Sequence, residues 1–270
     1  MQHINLKCCE SITELPKLRT PNLKELDLSG CTKLVKVHQS VGSLFKLESL
    51  DLSSCKNLQS LPSDFNLKSL QYFDLDGCLR LEEFPNIKPG MDSLRVLHMQ
   101  ETAIRELPLS FGFLIGLEEL FLSCCHNLMA LPNSIYKLQH LNKLWISNCT
   151  NLKIDINPMC NSFCSSEYGF LRLEELDLSH CKNLIELDFF MMHVYFPTLE
   201  NLSLCGTNIV TIPKSISRFA RLRTLAIKNC MQLREVPRLP ESITFVDATN
   251  FMSLDSQSST QVLSLSLSIL

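Results

Sequence analysis

One pattern, LxxLxLxxCxxL, recurs from one end of this sequence to the other and is clearest over residues 173–184. Taking the first apolar residue of the pattern as position 1, the same frame opens at Met1, Leu23, Leu47, Leu70, Leu94, Leu117, Leu141, Leu173, Leu199, Leu222 and Ile243. Between Leu23 and Leu141 the units follow each other every 23 or 24 residues. A period of this length predicts a solenoid, in which each unit packs only on its neighbours.

The spacing within a unit predicts its local structure. Positions 4 and 6 are two residues apart, so in an extended segment both side chains point to one face while positions 3, 5 and 7 point to the other. Each unit therefore carries a short strand with one buried and one solvent-exposed face. The apolar side chain at position 12 also packs in the interior. At roughly 1.5–3 kcal/mol per fully buried Leu or Ile, stacking the units offsets much of the ordering entropy. The predicted fold is an α/β solenoid, a leucine-rich-repeat horseshoe with a parallel sheet on the concave face and short helical or irregular convex segments.

Position 9 forms a ladder of small polar side chains. It holds eight of the thirteen cysteines and two threonines: Cys9, Cys31, Cys55, Cys78, Thr102, Cys125, Cys149, Cys181, Thr207 and Cys230. Phe251 fills the same position in the last unit. A thiol suits this position because it is half apolar and donates weakly. Disulfide geometry between rungs of a parallel ladder is poor, so we expect buried, reduced thiols and a cytoplasmic or nuclear location.

Charge and motifs exclude several function classes. The formal net charge is −3, and no run of Lys or Arg suggests binding to nucleic acid. No phosphate-binding glycine loop or nucleophile triad is found, and the lone pair Cys160 and Cys164 is too few for a structural zinc site. No signal peptide and no apolar run of membrane-spanning length is found. We therefore expect no enzyme activity, cofactor, metal or membrane partner. Asp74 and Asp76 are interpreted as part of a solvated face.

The organisation predicts one repeat domain over residues 1–254, with irregular units at 141–198, and a Ser-rich tail or the start of a further domain at 255–270. Because the first unit would expose an apolar strand edge, we expect a capping element before it. Two insertions, over 153–170 and 188–197, have two interpretations. They pack on each other along the convex side, or they form an exposed docking patch.

The concave face is the expected binding surface of a solenoid. Its position 5 reads Asn5, Asp27, Asp51, Asp74, His98, Phe121, Trp145, Asp177, Ser203, Ala226 and Asp247. Acidic residues thus flank a short run of rings. Exposed neighbouring aromatic residues are typical of interface hot spots, although the rings could instead cover one another or face inward. The candidate partner-binding residues are Tyr72, His98, Gln100, Phe121, Lys143 and Trp145.

The residues that fill the repeat pattern resemble those of a known family. Residues 21–44 (PNLKELDLSGCTKLVKVHQSVGSL) and 50–62 (LDLSSCKNLQSLP) resemble the leucine-rich-repeat region of plant intracellular nucleotide-binding immune receptors, most closely those with an N-terminal TIR domain. Extracellular plant receptors instead carry Gly-rich NxLxGxIP units, which this sequence lacks.

The resemblance implies a non-catalytic recognition module. In that family the repeats bind a pathogen effector or a guarded host protein, and they restrain the receptor's nucleotide-binding module until recognition occurs. The phosphate loop and the other motifs of that module have no counterpart here. The alternative is a stand-alone adaptor or scaffold, such as the substrate arm of a ubiquitin ligase or a GTPase-binding repeat protein.

Overall fold

The computed structural model describes residues 1–153, 169–187 and 193–250. Eleven parallel strands, one from each predicted unit, form a continuous sheet in chain order. The strands are His3–Asn5, Glu25–Asp27, Ser49–Asp51, Tyr72–Asp74, Val96–His98, Glu119–Phe121, Lys143–Trp145, Glu175–Asp177, Asn201–Ser203, Thr224–Ala226 and Phe245–Asp247. The structure thus confirms the predicted horseshoe architecture and its register.

Each strand covers positions 3 to 5 of its unit, and equal positions pair with each other. Leu120, for example, pairs with Leu97 on one side and with Leu144 on the other. This pairing stacks identical positions at about 4.8 Å, so a row of like side chains runs across the sheet. Any residue type that recurs at one position therefore becomes a continuous stripe on the surface or in the core.

The backbone turns away from the sheet at position 8, where every residue has a positive φ. Glu101 (φ 56°) and Gly30 (φ 71°) are examples. The left-handed conformation directs the N–H of position 8 to the position 7 carbonyl of the next turn, as from Gly77 to Gln100 at 2.8 Å. This bond recurs in the first ten units and gives each of them the same sharp corner, even where the residue is not glycine.

After the corner, the chain of each unit returns along the convex side of the horseshoe. This return path is built from two-residue strands, bends and 3-10 helices. The short strands Glu14–Leu15 and Lys36–Val37 pair with each other, as do Asp64–Phe65 and Asn86–Ile87. The 3-10 helices are Gln39–Ser43, Leu109–Phe113, Asn133–Lys137, His193–Tyr195 and Lys214–Arg218. No α-helix occurs in the described residues, so the helical half of the predicted α/β solenoid is represented there by 3-10 turns. Proline directly precedes three of these helices and fixes the entry angle of the chain.

The core lies between the sheet and the return path. Side chains at positions 1, 4, 6 and 12 are almost entirely buried in the inner units, and Leu117, Leu120, Leu122 and Leu128 show no exposure. Phenylalanines fill the wider convex side, where Phe84 and Phe111 meet edge to face at 5.5 Å. This supports the prediction that stability is distributed over stacked units.

The position 9 ladder has a defined hydrogen-bonding role. Each thiol from the second unit onward donates to the position 6 carbonyl of the preceding turn, as Cys78 does to Leu52 at 3.3 Å. The other bonds of this kind start at Cys31, Cys55, Cys125, Cys149, Cys181 and Cys230. Thr102 instead donates to Met99 in its own turn.

These ladder thiols are free and buried, with one correction. Cys9 is only partly buried, because its turn packs against a neighbour on one side alone. The remaining described cysteines, Cys8, Cys124 and Cys205, lie outside the ladder and are also free.

Several predictions concern residues outside the described part. These are the interior of the first insertion (154–168, with Cys160 and Cys164), the core of the second insertion (188–192) and everything after residue 250, including Phe251 and the tail. The domain division at residue 254 and both interpretations of the insertions remain predictions. Within the described ranges, no helix has the length and apolar character needed to cross a membrane.

Candidate functional site

The candidate site is the middle of the concave face, where position 5 carries rings. The register pairs Asp74 with His98, His98 with Phe121 and Phe121 with Trp145. Because the strands are parallel and in register, these four side chains project side by side from consecutive turns. The predicted neighbourhood of the rings is therefore present.

The rings form one continuous row. His98 lies flat on Phe121, with ring centroids 4.5 Å apart and 18° between the planes. Trp145 meets the other side of Phe121 edge to face at 5.1 Å, and Tyr72 lies 5.7 Å from His98. Offset stacking and edge-to-face contacts are the favoured arrangements of aromatic pairs. We call Tyr72, His98, Phe121 and Trp145 the ring row.

Exposure differs along the ring row, and Phe121 fits the interpretation in which the rings cover one another. Phe121 is only 8% exposed, because the rings of His98 and Trp145 on the adjacent strands cover both its sides. The residue paired with Trp145 on its far side is Asp177, and the indole is 38% exposed. Phe121 therefore supports the surface, and Trp145 is the most exposed ring of the row.

A polar cluster adjoins the ring row at its N-terminal end. The Tyr72 hydroxyl donates to Asp74 at 2.7 Å, and the Gln100 side-chain amide donates to Asp76 at 3.0 Å. His98 Nδ1 lies 3.4 Å from an Asp76 oxygen without hydrogen-bond alignment. The cluster thus connects three predicted site residues, Tyr72, His98 and Gln100, through two carboxylates.

The charges of this cluster perturb one another. The Asp76 carboxylate raises the pKa of His98 above its ordinary value, although partial burial of the ring opposes the change. Burial raises the pKa of Asp74, while the bonds from the Asp76 N–H and the Tyr72 hydroxyl lower it. Burial and then the hydrogen bond to Asp74 raise the pKa of Tyr72.

Lys143 stands apart from the polar cluster. Its ammonium group lies 3.1 Å from Glu119 on the neighbouring strand, and this hydrogen bond raises the pKa of Lys143. Surface pairs of this kind stabilise a fold by little. Lys143 and Glu119 form a neutral border beside the Trp145 indole.

The remainder of the concave row is acidic. Asp27 and Asp51 each accept the backbone N–H and the hydroxyl of the serine two residues later, Ser29 and Ser53. Neither carboxylate takes part in an ion pair within the described residues. The N-terminal half of the concave face therefore presents negative charge up to the ring row.

The sequence alone did not single out Asp76 as a site residue. The signal was available, because position 7 is serine in most of the inner units and aspartate only in this one. The spacing of Asp74 and Asp76 predicts a solvated face, whereas the structure shows both side chains partly buried and hydrogen-bonded. The burial and hydrogen bonding of both aspartates depend on which side chains meet across the strands. The spacing of residues along the sequence does not give this information.

Comparison with protein families agrees with the repeat pattern. The model for leucine-rich repeats of RPS4B-like disease resistance proteins matches residues 65–244, and the general leucine-rich-repeat model matches residues 46–67. Solved structures with the same fold include the leucine-rich-repeat domain of the type III effector XopL, with TM-score 0.56 and 20% identity over 96% of this chain and 77% of that one. The Leptospira interrogans protein LIC12759 gives TM-score 0.55 and 21% identity over 94% of this chain and 73% of that one. These two likenesses concern the fold.

Plant resistance proteins are similar in sequence. TMV resistance protein N of Nicotiana glutinosa is 30% identical over 94% of this chain and 26% of its own length. Disease resistance protein RPS4B of Arabidopsis thaliana is 30% identical over 87% of this chain and 18% of its own length. The chain thus spans about a quarter or less of these relatives and matches their repeats, in agreement with the resemblance to receptors of the TIR type. The chain belongs to the RPS4B-like leucine-rich-repeat family of plant disease resistance proteins.

Proposed function

We propose that this chain is the non-catalytic recognition module of a plant immune receptor and binds a pathogen effector or a guarded host protein on its concave face. The observation that carries the proposal is Trp145, whose indole is 38% exposed at the end of a row of packed rings. The tryptophan side chain gives much contact area at little entropic cost, which is why it is enriched among interface hot spots.

The ring row supports this function through its rigidity. Phe121 is held between His98 and Trp145, so the indole is oriented before any partner arrives. A preorganised aromatic surface loses little conformational freedom on binding. The proposed contact surface runs along the concave face from Tyr72, His98 and Gln100 to Lys143 and Trp145, and Phe121 lies between the rings of His98 and Trp145.

We also propose that the repeats restrain the receptor's nucleotide-binding module, and membership of the family supports this role. In the intact receptor the same repeats restrain the nucleotide-binding module until the partner binds, and the receptor acts in the cytoplasm or the nucleus. The alternative function is a stand-alone adaptor, either the substrate arm of a ubiquitin ligase or a GTPase-binding scaffold. It would use the same concave face but would require no nucleotide-binding module in the same polypeptide.

The test uses the receptor that carries these repeats, expressed in leaves together with effectors that trigger cell death. Trp145→Ala is expected to abolish the response or to reduce it at least tenfold in the effector dose required. Phe45→Ala is the matched control, because Phe45 is an exposed aromatic residue outside the concave sheet. An unchanged dose response for Trp145→Ala, at normal receptor abundance, would contradict the proposed surface. Constitutive cell death from variants of the repeats would support the restraining role.

A further inference from the structure

Three potential metal ligands meet on the concave face. One donor atom each from Asp74, Asp76 and His98 can be chosen so that all three lie within 4.8 Å of one another. Asp74 and His98 are directly paired residues of adjacent strands, and Asp76 follows two residues after Asp74. All three side chains are partly buried.

Both carboxylates are already oriented by neutral donors. Asp74 accepts the Tyr72 hydroxyl at 2.7 Å and the Asp76 N–H at 2.9 Å. Asp76 accepts the backbone N–H of Gln100 at 2.6 Å and its side-chain amide at 3.0 Å. Such outer hydrogen bonds fix the direction of a ligand without neutralising its charge. No Lys or Arg pairs with either carboxylate in the described part of the chain.

The imidazole supplies the independent observation. His98 Nδ1 is shielded from solvent and lies 3.4 Å from an Asp76 oxygen, at ion-pair distance but without the alignment of a hydrogen bond. A cation placed between the two atoms would bind both of them. The stack on Phe121 at 4.5 Å holds the ring, so this nitrogen stays directed at the carboxylate.

The separation of these atoms fits a metal ion. With zinc–nitrogen and zinc–oxygen bonds of about 2.0–2.2 Å, two ligands of a tetrahedral zinc ion stand about 3.3–3.5 Å apart. The distance of 3.4 Å between His98 Nδ1 and the Asp76 oxygen already lies in this range. The Asp74 donor lies within 4.8 Å of the other two and would be the third ligand, and water would take the open position.

We propose that Asp74, Asp76 and His98 form a binding site for a divalent transition-metal ion, with Zn²⁺ as the best-fitting ion. One imidazole with two carboxylates suits zinc and its neighbours better than Mg²⁺ or Ca²⁺, which favour sites made of oxygen alone. The ion would neutralise the acidic end of the ring row. This proposal is independent of the partner-binding function and can be tested without a partner.

The chain offers an internal reporter for the experiment. Trp145 is the sole tryptophan, and it lies two strands from His98, or about 10 Å away. Co²⁺ and Cu²⁺ bound at the site are expected to quench its fluorescence. Calorimetry of the tag-free full chain with Zn²⁺ alone is expected to give one strong site, and Zn²⁺ is expected to raise the unfolding temperature.

Two variants and one control decide the outcome. His98→Gln and Asp76→Asn are expected to weaken Zn²⁺ binding at least tenfold and to remove the quenching. Asp177→Asn is the control, because Asp177 is also a position 5 acid next to Trp145, but its oxygen accepts from Ser179 and its paired neighbours are Trp145 and Ser203. Circular dichroism establishes that each variant is folded.

Absence of a strong Zn²⁺ site in the parent chain would overturn the proposal. Binding that survives both substitutions in folded protein would overturn it as well, because thiols such as Cys8 would then be the ligands. A thiolate charge-transfer band in the Co²⁺ spectrum that persists in His98→Gln identifies that second case. A preference for Ca²⁺ or Mg²⁺ over Zn²⁺ would also contradict the proposed site.

Discussion

The imidazole of His98 lies flat on the ring of Phe121, with centroids 4.5 Å apart, and the indole of Trp145 closes the opposite side. Phe121 therefore behaves as a core residue although it projects from the concave side of the sheet. Its contacts connect its own turn of the solenoid to the turns on both sides, so its removal should affect stability measurably.

Phe121→Ala is expected to lower the free energy of unfolding by about 2–4 kcal/mol, because it removes a buried ring and two aromatic contacts. Chemical denaturation monitored by circular dichroism measures this change. The emission of Trp145 is expected to shift to longer wavelength in the folded variant, since one face of the indole gains water. Phe45→Ala, which truncates an exposed ring, is expected to change stability by less than about 0.5 kcal/mol. Equal losses for the two variants would refute the supporting role of Phe121.

The buried thiol ladder predicts a loss of stability in alkaline solution. Burial raises the pKa of Cys55 to about 12 and that of Cys181 to about 11, against an ordinary value of 9.0. Above pH 9 the unfolded chain releases these protons while the folded chain retains them. The stability that the two thiols contribute is therefore complete below about pH 9 and is lost as the pH rises toward the folded-state values.

Denaturant midpoints measured between pH 8 and pH 10.5 are expected to fall, by an amount on the order of 1 kcal/mol per thiol. A Cys55→Ala, Cys181→Ala double variant is expected to start less stable but to show a shallower dependence on pH. Identical pH slopes for the two proteins would show that the ladder thiols do not govern the alkaline loss.

The left-handed corner at position 8 predicts a stabilising substitution. Glu101 is exposed and adopts φ 56°, a conformation that costs a residue with a side chain about 1–2 kcal/mol. Glu101→Gly is expected to raise the free energy of unfolding by about 0.5–1 kcal/mol, because the relief exceeds the added entropy of the unfolded chain.

Glu106→Gly is the matched control for that substitution. Glu106 is also exposed, but it forms backbone bridges to Glu83 and Ala130 and is not in the left-handed region. Glycine there is expected to lower stability by about 0.5–1 kcal/mol. Opposite signs for the two glycine variants would confirm the corner geometry, whereas a destabilised Glu101→Gly would contradict it.

Most of the fold could be predicted because the repeat has a regular spacing. Leu176 and Leu178 stand two apart in a frame that recurs eleven times, and that frame fixes the strands, their order and their register. The corner at position 8 could not be predicted in the same way. Residues as different as Cys124, Asn148 and His180 occupy it, and their common conformation comes from a hydrogen bond to the next turn rather than from residue type.

The site was predicted less completely because its properties depend on pairs of side chains. The register placed Phe121 beside Trp145 correctly, but exposure depends on which rings cover which, and Phe121 proved to be buried. The same limit applied to Asp76. Its hydrogen bonds with Gln100 cross from one turn to the next, so residues 24 apart in sequence form one cluster.

The central claim is that Trp145 contacts the protein partner, and hydroxyl-radical footprinting of the intact receptor with its triggering effector or guarded protein tests it most directly. Indole and thioether side chains react readily, so Trp145 on the concave face can be compared with exposed Met129 and Met231 outside the concave sheet. We predict that the partner lowers the oxidation rate of Trp145 severalfold and leaves the two methionines unchanged. An unchanged rate at Trp145, with protection at Met129 or Met231 instead, would place the partner on another face and contradict the account.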